Sequence, residues 1–162
     1  MNELKKVLES RMKIRFHDCD PFNHLNNSRY IDYIVAARGD QLLEFYHLDI
    51  YKLAIENKIG WVSALTQISH ISPAYLMEEV VIETQLLNFS EKSLLFEAIM
   101  WDSTKSVLKA VMWAKLVHFN LQTQKSHLHS PELIFLFSQI VNPPVGDANF
   151  DKRLQELRQA KG

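Results

Sequence analysis

The sequence predicts an α+β domain in which a curved antiparallel sheet wraps one long helix. After Ser28, apolar residues recur with helical period, Ile31, Ile34, Val35, Leu42 and Phe45 standing three, four and seven apart. From Gly60 onward the pattern changes to strand-like segments rich in Val, Leu, Ile and Thr, joined by short turns. A sheet with one solvated face needs its other face covered, and this helix is the one long amphipathic element available to do so.

Met1–Glu9 reads as a short helix or a frayed arm. Arg11–Phe16 alternates Met12, Ile14 and Phe16 with Arg11, Lys13 and Arg15, the period of a half-buried strand. The polar stretch His17–Asn27 follows, broken by Pro21. The helix then starts near Ser28, capped by Asn26 or Asn27. Gly39 inside it costs about 1 kcal/mol relative to Ala, which points to close packing there. A second short helix fits Ile50–Asn57. Strands are expected at Trp61–Ser72, Val80–Leu87, Leu94–Trp101 and Val107–Leu121, the last three forming a meander.

In the last strand, Val111, Trp113, Val117 and Phe119 share one face with Lys109 and Lys115. Leu108, Ala110, Met112, Ala114 and Leu116 line the other. Apolar residues on both faces predict that the outer surface is also covered, by a second subunit or by the chain's own C-terminal segment. Pro131–Val141 fits either a helix or a buried strand. The expected layout is one domain over 1–142, with its core at 11–121, and a polar, helix-prone tail over 143–162.

The chain's 162 residues suit one domain that buries roughly 70% of the surface exposed when unfolded. A formal net charge of −1 exerts no pull on nucleic acid or anionic membrane. No apolar run approaches the roughly 20 residues of a membrane helix, and Met1–Arg11 lacks the pattern of a signal peptide. One cysteine, Cys19, fits a reducing cytoplasm. With four glycines, the chain has no P-loop and no dinucleotide fingerprint.

Chemistry concentrates in His17-Asp18-Cys19-Asp20-Pro21-Phe22-Asn23-His24-Leu25-Asn26-Asn27. His17, Asp18, Cys19, Asp20 and His24 are all legitimate metal ligands, but they lie along one loop with no second cluster of ligand spacing. Cys19 with His17 or His24 as base would be a nucleophile, yet its two aspartate neighbours raise a thiol pKa. Asp18, Asn23 and Asn26 can each simply make turns and caps. In a fourth reading, Asp20 is a carboxylate held just before a helix N-terminus. Free N–H groups and partial positive charge there stabilise an oxyanion formed from a carbonyl, while the carboxylate attacks that carbonyl or activates water.

Arg15-Phe16-His17-Asp18-Cys19-Asp20-Pro21, then Asn23-His24-Leu25-Asn26-Asn27-Ser28-Arg29-Tyr30 and Ala37-Arg38, resembles the opening of hotdog-fold acyl-CoA thioesterases of the 4-hydroxybenzoyl-CoA thioesterase type. Ser72-Pro73-Ala74 ahead of a strand is similar to the family's second stretch, with Glu78-Glu79 where Gly-Asp is usual. Asn23 stands where glycine is usual, and Phe22 is bulkier than the family's residue. Asn is the non-glycine residue that best tolerates positive φ.

The resemblance implies a hotdog fold, a homodimer joined edge to edge through its sheets or a dimer of dimers, and hydrolysis of an acyl thioester. It implies no metal or cofactor, the CoA thioester being substrate, and makes Asp20 the catalytic carboxylate. The polarising N–H maps to Asn27 or its neighbours. Asn23, His24, Asn26 and Tyr30 are the expected substrate contacts. Tyr30, Tyr33, Ile34, Phe45, Trp61, Phe96, Met100 and Trp113 are candidates to line an acyl tunnel, and Arg29, Lys92, Lys105 and Lys109 to meet CoA phosphates. The expected protein is a cytoplasmic acyl-CoA thioesterase. Alternatives are an acyl-carrier-protein thioesterase, a non-catalytic acyl-thioester binding protein on the same scaffold, and a hotdog dehydratase relying on His24.

Overall fold

In the computed structural model, residues 2–146 and 149–160 are described, and they place one helix in the concavity of an antiparallel sheet. Strands β1 (Leu8–Lys13), β2 (Ile59–His70), β3 (Glu79–Phe89), β4 (Ser93–Asp102) and β5 (Leu108–Asn120) are arranged in the order β1-β3-β4-β5-β2. The two-residue strand β6 (Lys125–Ser126) pairs with β5. Helix α1 (Tyr30–Tyr46) lies across the inner face, preceded by a 3₁₀ turn at Asn27–Arg29. This is the hotdog arrangement expected above, with the meander β3-β4-β5 in register from Ile82↔Met100 to Met100↔Ala110.

Three alanines let α1 approach the sheet. Ala98, Ala110 and Ala114 are buried on the inner face with Ile82 and Met100, and pack against Tyr33, Ile34 and Ala37 of the helix. A polar seam crosses the same interface. Gln41, fully buried, donates to Ser10 Oγ and to the Ile82 carbonyl, and accepts from Thr84 Oγ1. Gly39 does mark close packing: a Cβ there would stand 3.0 Å from the Tyr51 hydroxyl. Tyr51 belongs to α2 (Ile50–Lys52), which runs into a π-helical turn at Leu53–Asn57.

Several boundaries differ from expectation. The first strand begins at Leu8 and ends at Lys13, so its inward residues are Leu8, Ser10 and Met12, whereas Phe16 turns out to solvent in a 3₁₀ turn. Met1 lies outside the described residues. The reason is pairing: β1 follows β3, Leu8 facing Thr84, and propensity alone did not reveal that partner. Leu108 packs with the outer cluster, not the inner, because a register irregularity at Met100/Trp101 shifts its side. Lys109 is buried, with its ammonium 3.1 Å from Glu78. Pro131–Val141 is resolved as helix α3 (Pro131–Ile140), with Pro131 in the first turn and Ser130 as its cap.

The 143–162 segment does more than trail. Its residues 147, 148, 161 and 162 are outside the described set, but Phe150–Gln159 forms α4, which covers the outer face of the sheet. Phe150 and Leu157 pack on Val81, Trp101, Val111 and Trp113. Glu97, buried in that face, accepts from Trp113 Nε1, Gln85 Nε2 and Arg153 Nε and Nη2. The chain's own C-terminal helix therefore supplies covering that the two apolar faces of β5 called for. Arg153→Met removes the cation facing a buried carboxylate that keeps only its two neutral donors. It is expected to lower unfolding stability by about 2–3 kcal/mol in urea denaturation.

Trp61 anchors a histidine cluster at the far end. Its Nε1 donates to His129 Nε2 at 3.0 Å, so His129 carries its proton on Nδ1, which donates to the Ser90 carbonyl. The His118 ring lies 4.7 Å from that of His129, and its buried Nε2 has no partner among the described residues. Burial holds both imidazoles below the ordinary value of 6.5. As pH falls through 6.5 the unfolded chain takes up protons that the folded chain refuses, so stability is full above that pH and declines below it, until the folded values are reached. Melting temperature should fall between pH 7.5 and 5.5, and less steeply in His118→Leu.

Candidate active site

The loop after β1 is built by a chain of hydrogen bonds that leaves one carboxylate in reserve. Asp18 is the anchor: its Oδ2 accepts from the Tyr33 hydroxyl at 2.6 Å, and that hydroxyl in turn accepts from the Arg15 amide. The Asn26 amide donates to the Asp18 carbonyl, drawing the helix start back onto the loop. Between them a tight turn closes as Asp20 N–H donates to the His24 carbonyl and Asn23 N–H to the Asp20 carbonyl. Asn23 holds φ at 62°, the left-handed conformation that explains an Asn where glycine is usual.

A second loop braces the first. Leu25 N–H donates to the Ala74 carbonyl and Leu76 N–H to the Asn23 carbonyl. That loop is itself pinned by the buried Lys109 ammonium, which donates to the Pro73 carbonyl and pairs with Glu78. Glu78 also accepts from Tyr75 N–H, so the substitution of Glu for the usual Gly at this place closes a turn.

A cleft of about 230 Å³ opens between the two loops, bordered by Asp20, His24, Leu25, Asn27, Tyr30, His70, Ile71, Ser72 and Pro73. Asp20 Oδ1 accepts from the Phe22 and His24 amides at 2.9 and 3.1 Å, which fixes the carboxylate. Its Oδ2 has no hydrogen-bond donor among the described residues. At the helix start, Asn26 Oδ1 accepts from both the amide and the hydroxyl of Ser28, and the Asn26 carbonyl accepts from Arg29 N–H. The Asn27 N–H is thus left without an acceptor among the described residues, at the positive end of the helix that becomes α1. A carboxylate with one unused oxygen and an unused amide donor share one cleft. That pair can hold a carbonyl and deliver a nucleophile to it.

The expected site residues separate into two groups. Asp20, Asn27, His24 and Tyr30 come together on the cleft, Tyr30 buried with its hydroxyl accepting from the Ala74 amide. Asn23 and Asn26 do not border it; one makes the turn and the other caps the helix. Phe22, bulkier than the family's residue, is 77% exposed and does not border the cleft. Cys19 is also off the cleft: burial pushes its thiol up, with Asp18 and Asp20 adding to the effect, and it donates to the Arg15 carbonyl. Among the described residues no group of three or more His, Cys, Asp or Glu is placed to hold a metal ion.

His70 is the residue that sequence reading missed. It closes β2, its ring edge-on to Tyr30 at a centroid distance of 4.8 Å, and borders the cleft. Its signal was its place two residues ahead of Ser72-Pro73-Ala74, the segment similar to the family's second stretch.

A second, larger cavity of about 330 Å³ runs between α1 and the sheet. Of the side chains expected to line an acyl tunnel, Trp61 and Phe96 do so. Tyr33, Ile34 and Met100 are packed in the inner core, and Trp113 lies under α4. Ile31, Val35 and Leu42 on the helix, and Met112, Ala114 and Leu116 on β5, form much of the wall instead. Among the expected phosphate contacts, Lys105 pairs with Glu9 and Glu83, Lys109 with Glu78, and Arg29 with Asp32. No helix among the described residues is long and apolar enough to cross a membrane.

Comparison with known proteins agrees with this fold. The family model described as the Thioesterase-like superfamily matches residues 14–144. The chain is similar to the long-chain acyl-CoA thioesterase FadM of Escherichia coli (strain K12), 25% identical over 134 residues, covering 83% of this chain and 99% of that protein. Among solved structures, it is similar to YbaW, a probable thioesterase from Escherichia coli, with a TM-score of 0.69 at 25% identity, covering 83% of this chain and 99% of that one. The fold alone is shared with SAV2348, a hypothetical protein from Staphylococcus aureus solved in complex with CoA. There the TM-score is 0.77 at 12% identity, with 94% of this chain and 95% of that one covered.

Proposed function

Because the chain belongs to the Thioesterase-like superfamily and has the hotdog fold, we propose that it hydrolyses an acyl-CoA thioester to free acid and CoA, with Asp20 as catalytic carboxylate and Asn27 N–H as oxyanion donor. The observation that carries the assignment is the pairing of an unused Asp20 oxygen with an unused Asn27 amide on one cleft. The thioester carbonyl accepts from Asn27 N–H. Asp20 then either takes a proton from water as the water oxygen attacks the carbonyl carbon, or attacks that carbon itself to give an anhydride that water opens. Collapse of the oxyanion breaks the C–S bond, and the thiolate leaves. Water-excluding walls at Tyr30 and Leu25 strengthen the charge interactions that stabilise the oxyanion. The similarity to a long-chain acyl-CoA thioesterase supports a CoA thioester as substrate.

His24, its ring edge-on to Tyr75, contributes to substrate placement. The cleft needs no cofactor for this chemistry, since every group used belongs to the chain. Asp20→Asn keeps the two amide bonds to Oδ1 but loses the base, and thiol release from an acyl-CoA is expected to drop at least about 100-fold with unchanged melting temperature. Turnover near wild type would remove Asp20 from the reaction. Single turnover in ¹⁸O-water separates the two routes, because only direct attack leaves label in the Asp20 side chain.

The assembly proposed is a homodimer, with a dimer of dimers as its extension. In the sheet order, β2 is a twelve-residue edge strand whose outer side is unpaired among the described residues, and Val62 and Leu65 are exposed along it. Long apolar edges of this kind are ordinarily covered. Light scattering should return twice the 18.9 kDa of the chain or more; a monomer at micromolar concentration would exclude this arrangement.

A further inference from the structure

The 330 Å³ cavity has one charged residue in its wall, Arg38. Arg38 is only 9% exposed, and its guanidinium has no carboxylate within ion-pair distance among the described residues. Nη1 donates to Thr84 Oγ1 at 2.8 Å, and the guanidinium stands 5.7 Å over the Phe96 ring. Thr84 Oγ1 gives its one proton to Gln41 Oε1. Nε and Nη2 donate to nothing among the described residues, and Arg38 borders the cavity.

A guanidinium in an apolar wall is costly, since burial removes water that would otherwise satisfy its five donors. The strain is visible in its acidity: burial brings the group down to about 10. The Phe96 face returns part of the cost, and one hydroxyl returns a little more. Neither reaches Nε or Nη2. An acceptor entering the cavity would do so at short range and low dielectric, where a charge-assisted hydrogen bond is strong.

We propose that the acyl cavity accepts chains carrying an oxygen acceptor away from the thioester, and that Arg38 binds that oxygen. This rests on the cavity's being the acyl site of the proposed thioesterase. Ile31, Val35, Arg38 and Leu42 form one stripe along α1, at i, i+4, i+7 and i+11. Arg38 lies 11 residues beyond Asn27, about 16 Å along a helix, so the oxygen belongs well down the chain and not next to the carbonyl. Terminal hydroxyl and terminal carboxylate share the required chemistry, and the ionised group makes the stronger bond.

The test compares plain acyl-CoAs of eight to twelve carbons with their ω-hydroxy and ω-carboxy counterparts, by thiol release and by calorimetric binding of the matching non-hydrolysable thioethers. At one length or more, wild type should favour an oxygenated chain by about ten-fold or more in kcat/KM and in Kd. Arg38→Met should bring that ratio to about one, and Arg38→Lys should retain part of it. A wild type that prefers the plain chain at every length, in turnover and in binding, overturns the proposal. So does an Arg38→Met protein that folds and keeps the preference. If no thioester is cleaved while the thioethers still bind with the oxygen preference, the catalytic reading fails and this one stands. The wild-type ratio decides the matter even if Arg38→Met does not fold.

Discussion

The constraint on which the rest depends is that one helix must fill the concavity of the sheet. Antiparallel strands that curl inward present a continuous apolar face, and α1 is the long element that meets it. Ala98, Ala110 and Ala114 lower the floor so that the helix can lie close, while Gly39 lets Tyr51 press on its other side. Once the helix axis is set by that packing, its N-terminus can only emerge at one end of the sheet. The loops after β1 and before β3 meet it there.

That meeting makes the site. Asp18 spends itself on Tyr33, which stands on the helix, and so fixes the loop to the element whose end it must address. Asn26 spends its side chain on Ser28. Lys109 spends its charge on Glu78 and Pro73. Each of these polar groups satisfies a neighbour, and what is left over, Asp20 Oδ2 and the Asn27 amide, faces the cleft. The same accounting singles out Arg38 in the larger cavity, where a charge among apolar walls retains unmet donors. A polar group in a dry place normally finds its partner within the chain; one that does not is where a ligand belongs.

Much of this was legible in the residues. The apolar runs over 80–87 and 94–101 located β3 and β4 to within a residue or two at each end, because both strands are buried on both faces and turn residues bound them. The Asn23 turn was legible because few residues tolerate its φ. The dense polar run His17–Asn27 stood out as a candidate site because that many hydrogen-bonding side chains rarely gather in one loop without use. Harder to read were the places where pairing overrides pattern. Leu8 entered β1 because β3 offered it a partner, and Leu108 changed face because a bulge displaced it by one residue. The polar helix α4 gave little sign that Phe150 and Leu157 would seal the outer face. Its amphipathic pattern has three apolar anchors in ten residues, Phe150, Leu154 and Leu157, and their value comes from the sheet beneath them.

By itself, then, the sequence determined the long helix, the four strands after it, their order and the polar loop that precedes the helix. These follow from local preferences and from burial periodicity, both written along the chain. Tertiary structure alone decided which polar atoms of the larger cavity are spent and which remain. The hydrogen bonds of Asp20 and of the helix start are settled inside the loop, by Phe22, His24, Asn26 and Ser28, whereas those of the Arg38 guanidinium depend on Thr84, 46 positions away. Tertiary structure also brought His70 to the cleft and assigned Ile31 and Val35 to a cavity wall, which helical spacing had placed with the core. Distance in sequence carries no information about such encounters, because they are fixed by the register of strands and the seat of one helix.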